Sequence, residues 1–251
     1  MSVLSLRRHS RGLGLSPRRR AAKGGAQVPM VIQEGLVAEW RFNEGAGQVL
    51  TDFTGNGHHG QLGTTAGADA ADPIWTAQGL SFDGGDFVDC GNVGISGAAA
   101  RTLCAVMRPA AGTPTIGVEW KDPATNVAGQ RWTFRKNQTS DNFRLECFGS
   151  GTNHTSDLVP NTWVFLAATH DGSATFAGAT LYYNDIAVPA SGSQVLNTVG
   201  PLRWGIANGA TVAMEAAYGL VYNRALSAGE IEQNRQALAS ILAARGIILP
   251  S

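Results

Sequence analysis

No apolar run in this 251-residue chain reaches the ~18 residues a bilayer-spanning helix needs, so no segment is expected to cross a membrane. Cysteine is scarce: Cys90, Cys104 and Cys147 are odd in number, and their spacings fit no metal motif. That excludes a disulfide framework, fits folding in a reducing cytoplasm, and makes the three thiols candidate core residues. Acid is missing from the first thirty residues, where Arg7, Arg8, Arg11, Arg18, Arg19, Arg20 and Lys23 carry +7. The remaining twelve bases and nineteen acids leave −7 on the rest of the chain.

The N-terminal arginines are not followed by the apolar stretch of about 7–15 residues that a secretory or twin-arginine signal requires. Gly12, Gly14, Pro17, Gly24 and Gly25 oppose the amphipathic helix of a transit peptide. The Asn-x-Thr sequons at Asn137 and Asn153 then read as chance. Strand–helix alternation is also absent, which excludes a parallel α/β sheet. None of the five histidines sits in a nucleophile-elbow setting, and His58-His59 has no third zinc ligand nearby.

What is present is turns and alternation. Thirty-two glycines and a charged fraction of only 15% point to short strands joined by tight turns, and a 43% apolar content suffices for a core. Leu36–Phe42 alternates at period two, with Leu36, Ala38, Trp40 and Phe42 on one face. Gly79–Cys90 reads as a hairpin with Asp83-Gly84-Gly85 at its tip. Further strands are expected over Arg101–Met107, Thr115–Glu119, Gln130–Lys136, Asn142–Gly149 and Trp163–His170. Ala179–Tyr183, Leu202–Ile206 and Met214–Tyr222 complete the set. So many short strands predict a two-sheet sandwich, with Trp40, Phe42, Phe82, Trp163, Phe165 and Leu181 between its sheets.

One helix is expected. Ser227-Ala228-Gly229-Glu230 is a capping box, Ile231, Leu238, Ile241 and Leu242 form its apolar stripe, and Gly246 ends it. The apolar tail Ile247-Ile248-Leu249-Pro250 either folds back onto the sandwich or docks on a neighbour.

Six segments, in order, resemble the laminin-G-like jelly-roll family of concanavalin-A-like folds. They are Gly35–Gly47, Asp52–Gly60, Leu80–Gly84, Trp163–Gly172, Leu181–Asp185 and Val221–Ser227. The resemblance implies an all-β, two-sheet antiparallel jelly-roll over residues 35–226. A basic extended arm (1–34) precedes it, and a short C-terminal helix with an apolar tail (227–251) follows. It implies no single activity. Arm, sandwich and helical tail together look similar to decoration or tail proteins of bacteriophage virions. The function expected from this is a non-enzymatic structural or adhesion protein of a virus particle, made in the host cytoplasm. A carbohydrate-binding, lectin-like module is the alternative, and a glycoside hydrolase the disfavoured one.

Three sets of candidate site residues follow. The family often binds Ca²⁺ at the turn after the first strand, which Asp52 and Asn56 match; calcium wants 6–8 oxygen ligands. Relatives add an acid in the strand before Tyr222. That position falls on Ala217 here, and Glu215 reaches it only by a two-residue register shift, which keeps the side chain on the same face. Without calcium, Asp52 and Asn56 would hold the turn through backbone hydrogen bonds. Trp120, between Glu119 and Lys121, is the candidate loop aromatic for a sugar face. The cations of the arm, Arg7, Arg8, Arg11, Arg18, Arg19, Arg20 and Lys23, are candidates for docking on neighbouring subunits, with phosphate binding less favoured. Hydrolysis needs two carboxylates about 5–9 Å apart. Glu39, Glu44, Asp83, Asp86, Asp89, Glu119, Asp122 and Glu146 are instead scattered along the chain, so no enzyme is expected.

Overall fold

The structure, a computed structural model, describes residues 30–250; residues 1–29 of the arm, with the proposed docking cations Arg7, Arg8, Arg11, Arg18, Arg19, Arg20 and Lys23, lie outside the described residues. In chain order come β1 (Leu36–Trp40), β2 (Val49–Leu50), β3 (Gly60–Leu62), β4 (Ile74–Trp75), β5 (Leu80–Asp83) and β6 (Val88–Asp89). Next are β7 (Arg101–Pro109), β8 (Gly117–Trp120), β9 (Trp132–Lys136), β10 (Asn142–Glu146), β11 (Gly151–Asp157) and β12 (Val164–His170). Then come β13 (Ala179–Tyr183), β14 (Ile186–Pro189), β15 (Leu202–Trp204), β16 (Ile206–Ala207), β17 (Ala210–Thr211) and β18 (Ala213–Tyr222). Helix α1 (Ala228–Ala243) closes the chain.

The first sheet runs β14-β13-β12-β7-β18-β5-β4, with β1 also paired to β18. The second runs β11-β10-β9-β8-β15-β6-β3-β2, and β16-β17 form a separate two-stranded ribbon. The named pairings are antiparallel, and the two large sheets make the expected all-β jelly-roll sandwich. Alternation explains the second sheet. Trp132, Phe134, Phe143 and Leu145 enter the inter-sheet core, while Thr133, Arg135, Arg144 and Glu146 point outward. In that core, Trp204 meets Trp40 and Phe42 edge-on, with ring centroids 6.0 and 5.0 Å apart. Gly219 of β18 lies so close that an added Cβ would fall 2.4 Å from the Trp204 ring.

The first sheet is apolar on both faces because both are covered. Leu103, Ala105 and Met107 of β7 face the inner core; Cys104 and Val106 face a second cluster beneath α1. Trp163 and Phe165 belong to that second cluster and not to the space between the sheets, which corrects their expected placement. The capping box forms, with Ser227 N donating to Glu230 (2.8 Å) and Glu230 N to Ser227 Oγ (3.3 Å). Ile231, Leu238 and Leu242 are buried, but Ile241 is 40% exposed, so the helix stripe is narrower than expected. The tail folds back: Ile247 and Leu249 join the second cluster.

Leu36 leaves the face of Ala38, Trp40 and Phe42 for the second cluster, because β1 is bulged between Leu36 and Ala38. Two other expectations fail, and one strand is missed, for definable reasons. Gly79–Cys90 is not a hairpin, because β5 joins the first sheet and β6 the second, so the Asp83 turn carries the chain across the sandwich. The edge strand β11 has only His154 buried, so its sequence shows no apolar alternation. A bulge between Ala216 and Tyr218 shifts β18 against β7, so counting back from Tyr222 misplaces residues upstream of it.

Candidate functional site

The structure does not assemble Asp52, Asn56 and Glu215. Asp52 is buried, and its Oδ1 accepts the amides of Glu39 (3.1 Å) and Thr54 (3.0 Å) while Oδ2 accepts that of His58 (3.1 Å). Burial pulls this carboxyl's pKa upward, but the donors from Thr54, Glu39 and His58 outweigh it and hold the group below its usual range. Asn56 donates to the Val37 carbonyl at 2.9 Å. Glu215 pairs with Arg108, four residues along β18 from Gly219, which lies opposite Trp40 beside Asp52. Four residues span about 13 Å of strand. Among the described residues, no group of three or more His, Cys, Asp and Glu is placed to hold a metal. The residues present therefore do not fit the calcium site that the family resemblance implied, and Asp52 with Asn56 pins the turn.

Trp120 is no loop aromatic. It is fully buried in β8, opposite Trp132 and Leu202, with the Arg101 guanidinium 5.2 Å from its ring centroid. Because β8 alternates, its neighbours Glu119 and Lys121 emerge on the outer face of the second sheet.

That outer face carries the most organised polar chemistry among the described residues. Register sets Glu146, Thr133, Glu119 and Arg203 side by side on β10, β9, β8 and β15, and Arg144 opposite Arg135. Arg131 lies 3.2 Å from Glu146 and 3.4 Å from Glu119. Arg135 and Arg144 also pair with Glu146, and Arg203 lies 3.5 Å from Glu119. Burial raises the Glu146 pKa, but Arg135, Arg144 and Arg131 overcome that and hold it below the usual carboxylate range.

The β16-β17 ribbon folds over this face. Its tip, Asn208-Gly209, has φ of 56° and 78°, the left-handed pair of a tight hairpin turn. Gly209 N donates to both Glu119 oxygens (3.1 and 3.2 Å), and Asn208 Oδ1 accepts from Arg131. The ribbon, the 121–130 loop and the turns at the two ends of the β9–β10 hairpin bound a groove of about 310 Å³. It is lined by Asn126, Arg131, Gln138, Glu146, Phe148 and Asn208. Phe148, at φ 53°, is half-buried, with the Arg131 guanidinium 5.0 Å from its centroid. Three amide side chains, a guanidinium, a carboxylate and one aromatic ring thus converge on one depression.

In the sequence Glu119 and Glu146 read only as scattered acids, and Arg131, Phe148 and Asn208 do not stand out. The signals were there: Arg131-Trp132-Thr133-Phe134-Arg135 and Asn142-Phe143-Arg144-Leu145-Glu146 alternate polar with apolar, and Asn208-Gly209 is a hairpin-turn dipeptide.

No family model matches the chain, and no curated protein matches it. Solved structures do. A sialidase from Trypanosoma rangeli superposes with a TM-score of 0.61 at 14% identity, over 84% of this chain and 34% of the sialidase. The ligand-binding domain of botulinum neurotoxin serotype D, in complex with N-acetylneuraminic acid, gives 0.57 at 11% identity, over 81% of this chain and 51% of that one. Domain 4 of an extracellular arabinanase from Geobacillus stearothermophilus, in complex with arabinotriose, gives 0.51 at 14%, over 80% and 98%. At such identities the likeness shows the fold alone, and the chain spans about a third of the sialidase.

Proposed function

We propose that the sandwich is a lectin-like, non-catalytic carbohydrate-binding module whose site is the groove on the outer face of the second sheet. The observation that carries this is the groove's lining. Asn126, Gln138 and Asn208 offer amide donors and acceptors matched to sugar hydroxyls, and Phe148 offers an apolar wall for a ring face. Two of the structurally similar domains were solved with N-acetylneuraminic acid and arabinotriose, which favours this reading over the virion-assembly function drawn from the basic arm. The non-catalytic part is supported by the carboxylates. Glu119 and Glu146 are both ion-paired with arginines, and a general acid needs a carboxyl pKa pushed up, the reverse of Glu146.

The test is a glycan array with the full chain, followed by titration of the best glycan against the double variant Asn126→Ala, Asn208→Gly; glycine keeps the left-handed turn at 208. Affinity should fall at least about tenfold; the melting temperature should drop while the chain stays folded, because both amide oxygens accept from buried Arg131. Undiminished affinity would move the site elsewhere, and an array without a single bound glycan would end the lectin reading.

A further inference from the structure

The groove sits in a concentration of positive charge on a body whose net charge over residues 31–251 is −7. Arg131, Arg135, Arg144, Arg203 and Lys121 share its sheet face with Glu119 and Glu146. Three guanidinia converge on Glu146 alone, and two on Glu119. The next acid along the row, Asp89, lies opposite Arg203, so five cations stand against three carboxylates.

These cations are not loose surface groups. Arg131 is 4% exposed, Arg135 6% and Lys121 3%, so their charge is largely withdrawn from water. Cations withdrawn from water are costly unless paired. Arg131 Nε sits 3.4 Å from Glu119 without hydrogen-bond geometry, and the Nε hydrogen of Arg203 is buried without an acceptor. Burial lowers the Lys121 pKa, Glu119 opposes that, and Arg131 and Arg203 lower it further. The face therefore holds more desolvated positive charge than its own carboxylates neutralise.

We propose, building on the glycan-binding reading, that the groove takes an acidic glycan, whose carboxylate or sulfate group seats against the Arg131–Arg144 side. Planar guanidinia suit either anion, because they donate two parallel hydrogen bonds. The hydroxyls of the same sugar then fall to Asn126, Gln138 and Asn208, and its apolar face to Phe148. A neutral sugar would fill the hydroxyl sites and leave the charge excess in place.

The experiment uses the full chain on an array that presents each glycan core in neutral, carboxylated and sulfated forms, at about 0.05 M and 0.5 M salt. The expected result is at least a tenfold preference for an acidic form over its neutral parent, shrinking at the higher salt as screening shortens. Preference for carboxylated or sulfated forms identifies which anion it is. Arg144 carries a partly exposed side chain, and Arg144→Gln leaves Arg131 and Arg135 on Glu146. This variant should lose most of the acidic preference while melting as the parent does. Equal binding of neutral and acidic forms, or a preference untouched in Arg144→Gln, overturns the acidic-glycan inference and leaves the lectin reading standing. An array with no bound glycan overturns both.

Discussion

The outer faces of the two sheets solve the same problem in opposite ways. On the first sheet, Val106, Phe165, Leu220 and Tyr222 meet Ile231, Leu238 and Leu242 of α1, and the tail adds Ile247 and Leu249. Beneath α1 the polar groups form a closed network, while the Trp163 indole N–H in the same cluster is buried without an acceptor. Asn234 accepts from Ile32 N (2.8 Å) and donates to Tyr222 Oη (3.0 Å), which donates to the Ile32 carbonyl (3.0 Å). On the second sheet the cover is a four-residue-stranded ribbon and a loop, and the face beneath is charged. One face is filled by the chain itself, and the other retains a groove lined by charged and amide side chains. A buried network with every member satisfied holds a structure together; a network with donors left over is where a ligand gains most.

The contrast can be broken from its stiff side first. Phe165→Ala should cost about 3–5 kcal/mol, as large-to-small changes in a packed cluster do, and lower the urea midpoint at unchanged slope. A loss below about 1 kcal/mol would mean that α1 docks loosely. Glu146→Gln comes next, at about 3 kcal/mol, because it leaves Arg131, Arg135 and Arg144 without their shared counter-charge.

Acid sharpens the same distinction. The folded pKa of Glu146 lies below its unfolded value, near 4.3. Its contribution is therefore complete above that value and is lost as pH falls through the folded pKa. In a series of melts from pH 7 downward, Glu146→Gln should flatten part of the acid decline, whereas Phe165→Ala should lower the whole profile in parallel. A parallel profile for Glu146→Gln would remove this carboxylate from the acid response.

Smaller effects separate the two covers. Asn234→Ala opens the closed network under α1 and leaves the Ile32 amide unpaired, for about 2 kcal/mol. Asn208→Ala at the ribbon tip costs about 1 kcal/mol for its left-handed backbone, a change read in the thermal midpoint. If Asn208→Ala proved the more damaging of the two, the ribbon would be a structural cover, and the groove beneath it a poor candidate for ligand entry.

Much of the fold is legible in the sequence. Alternation in Ala38–Trp40, the capping box at Ser227 and the apolar runs of β7, β12 and β18 carry their own geometry, because burial of one strand face or one helix stripe dictates the period. What escaped is equally specific. β11 is an edge strand with one buried side chain, β5 and β6 part into different sheets at the Asp83 turn, and the bulge at Ala217 offsets β18. None of these leaves a periodic trace, since each depends on what lies across the sandwich.

The site divides in the same way. The sequence alone determined an all-β sandwich with a capped C-terminal helix, and which strands carry polar residues opposite apolar ones, because side-chain direction along a strand is local. Tertiary structure alone decided that Trp120 turns inward, that Asp52 and Glu215 stay apart, and that Arg131, Arg144, Glu119 and Glu146 meet beneath Asn208. Contacts at this site join residues up to 90 positions apart, as between Glu119 and Gly209. Strand register and the path of the ribbon set them, and neither is encoded in the spacing of any one segment.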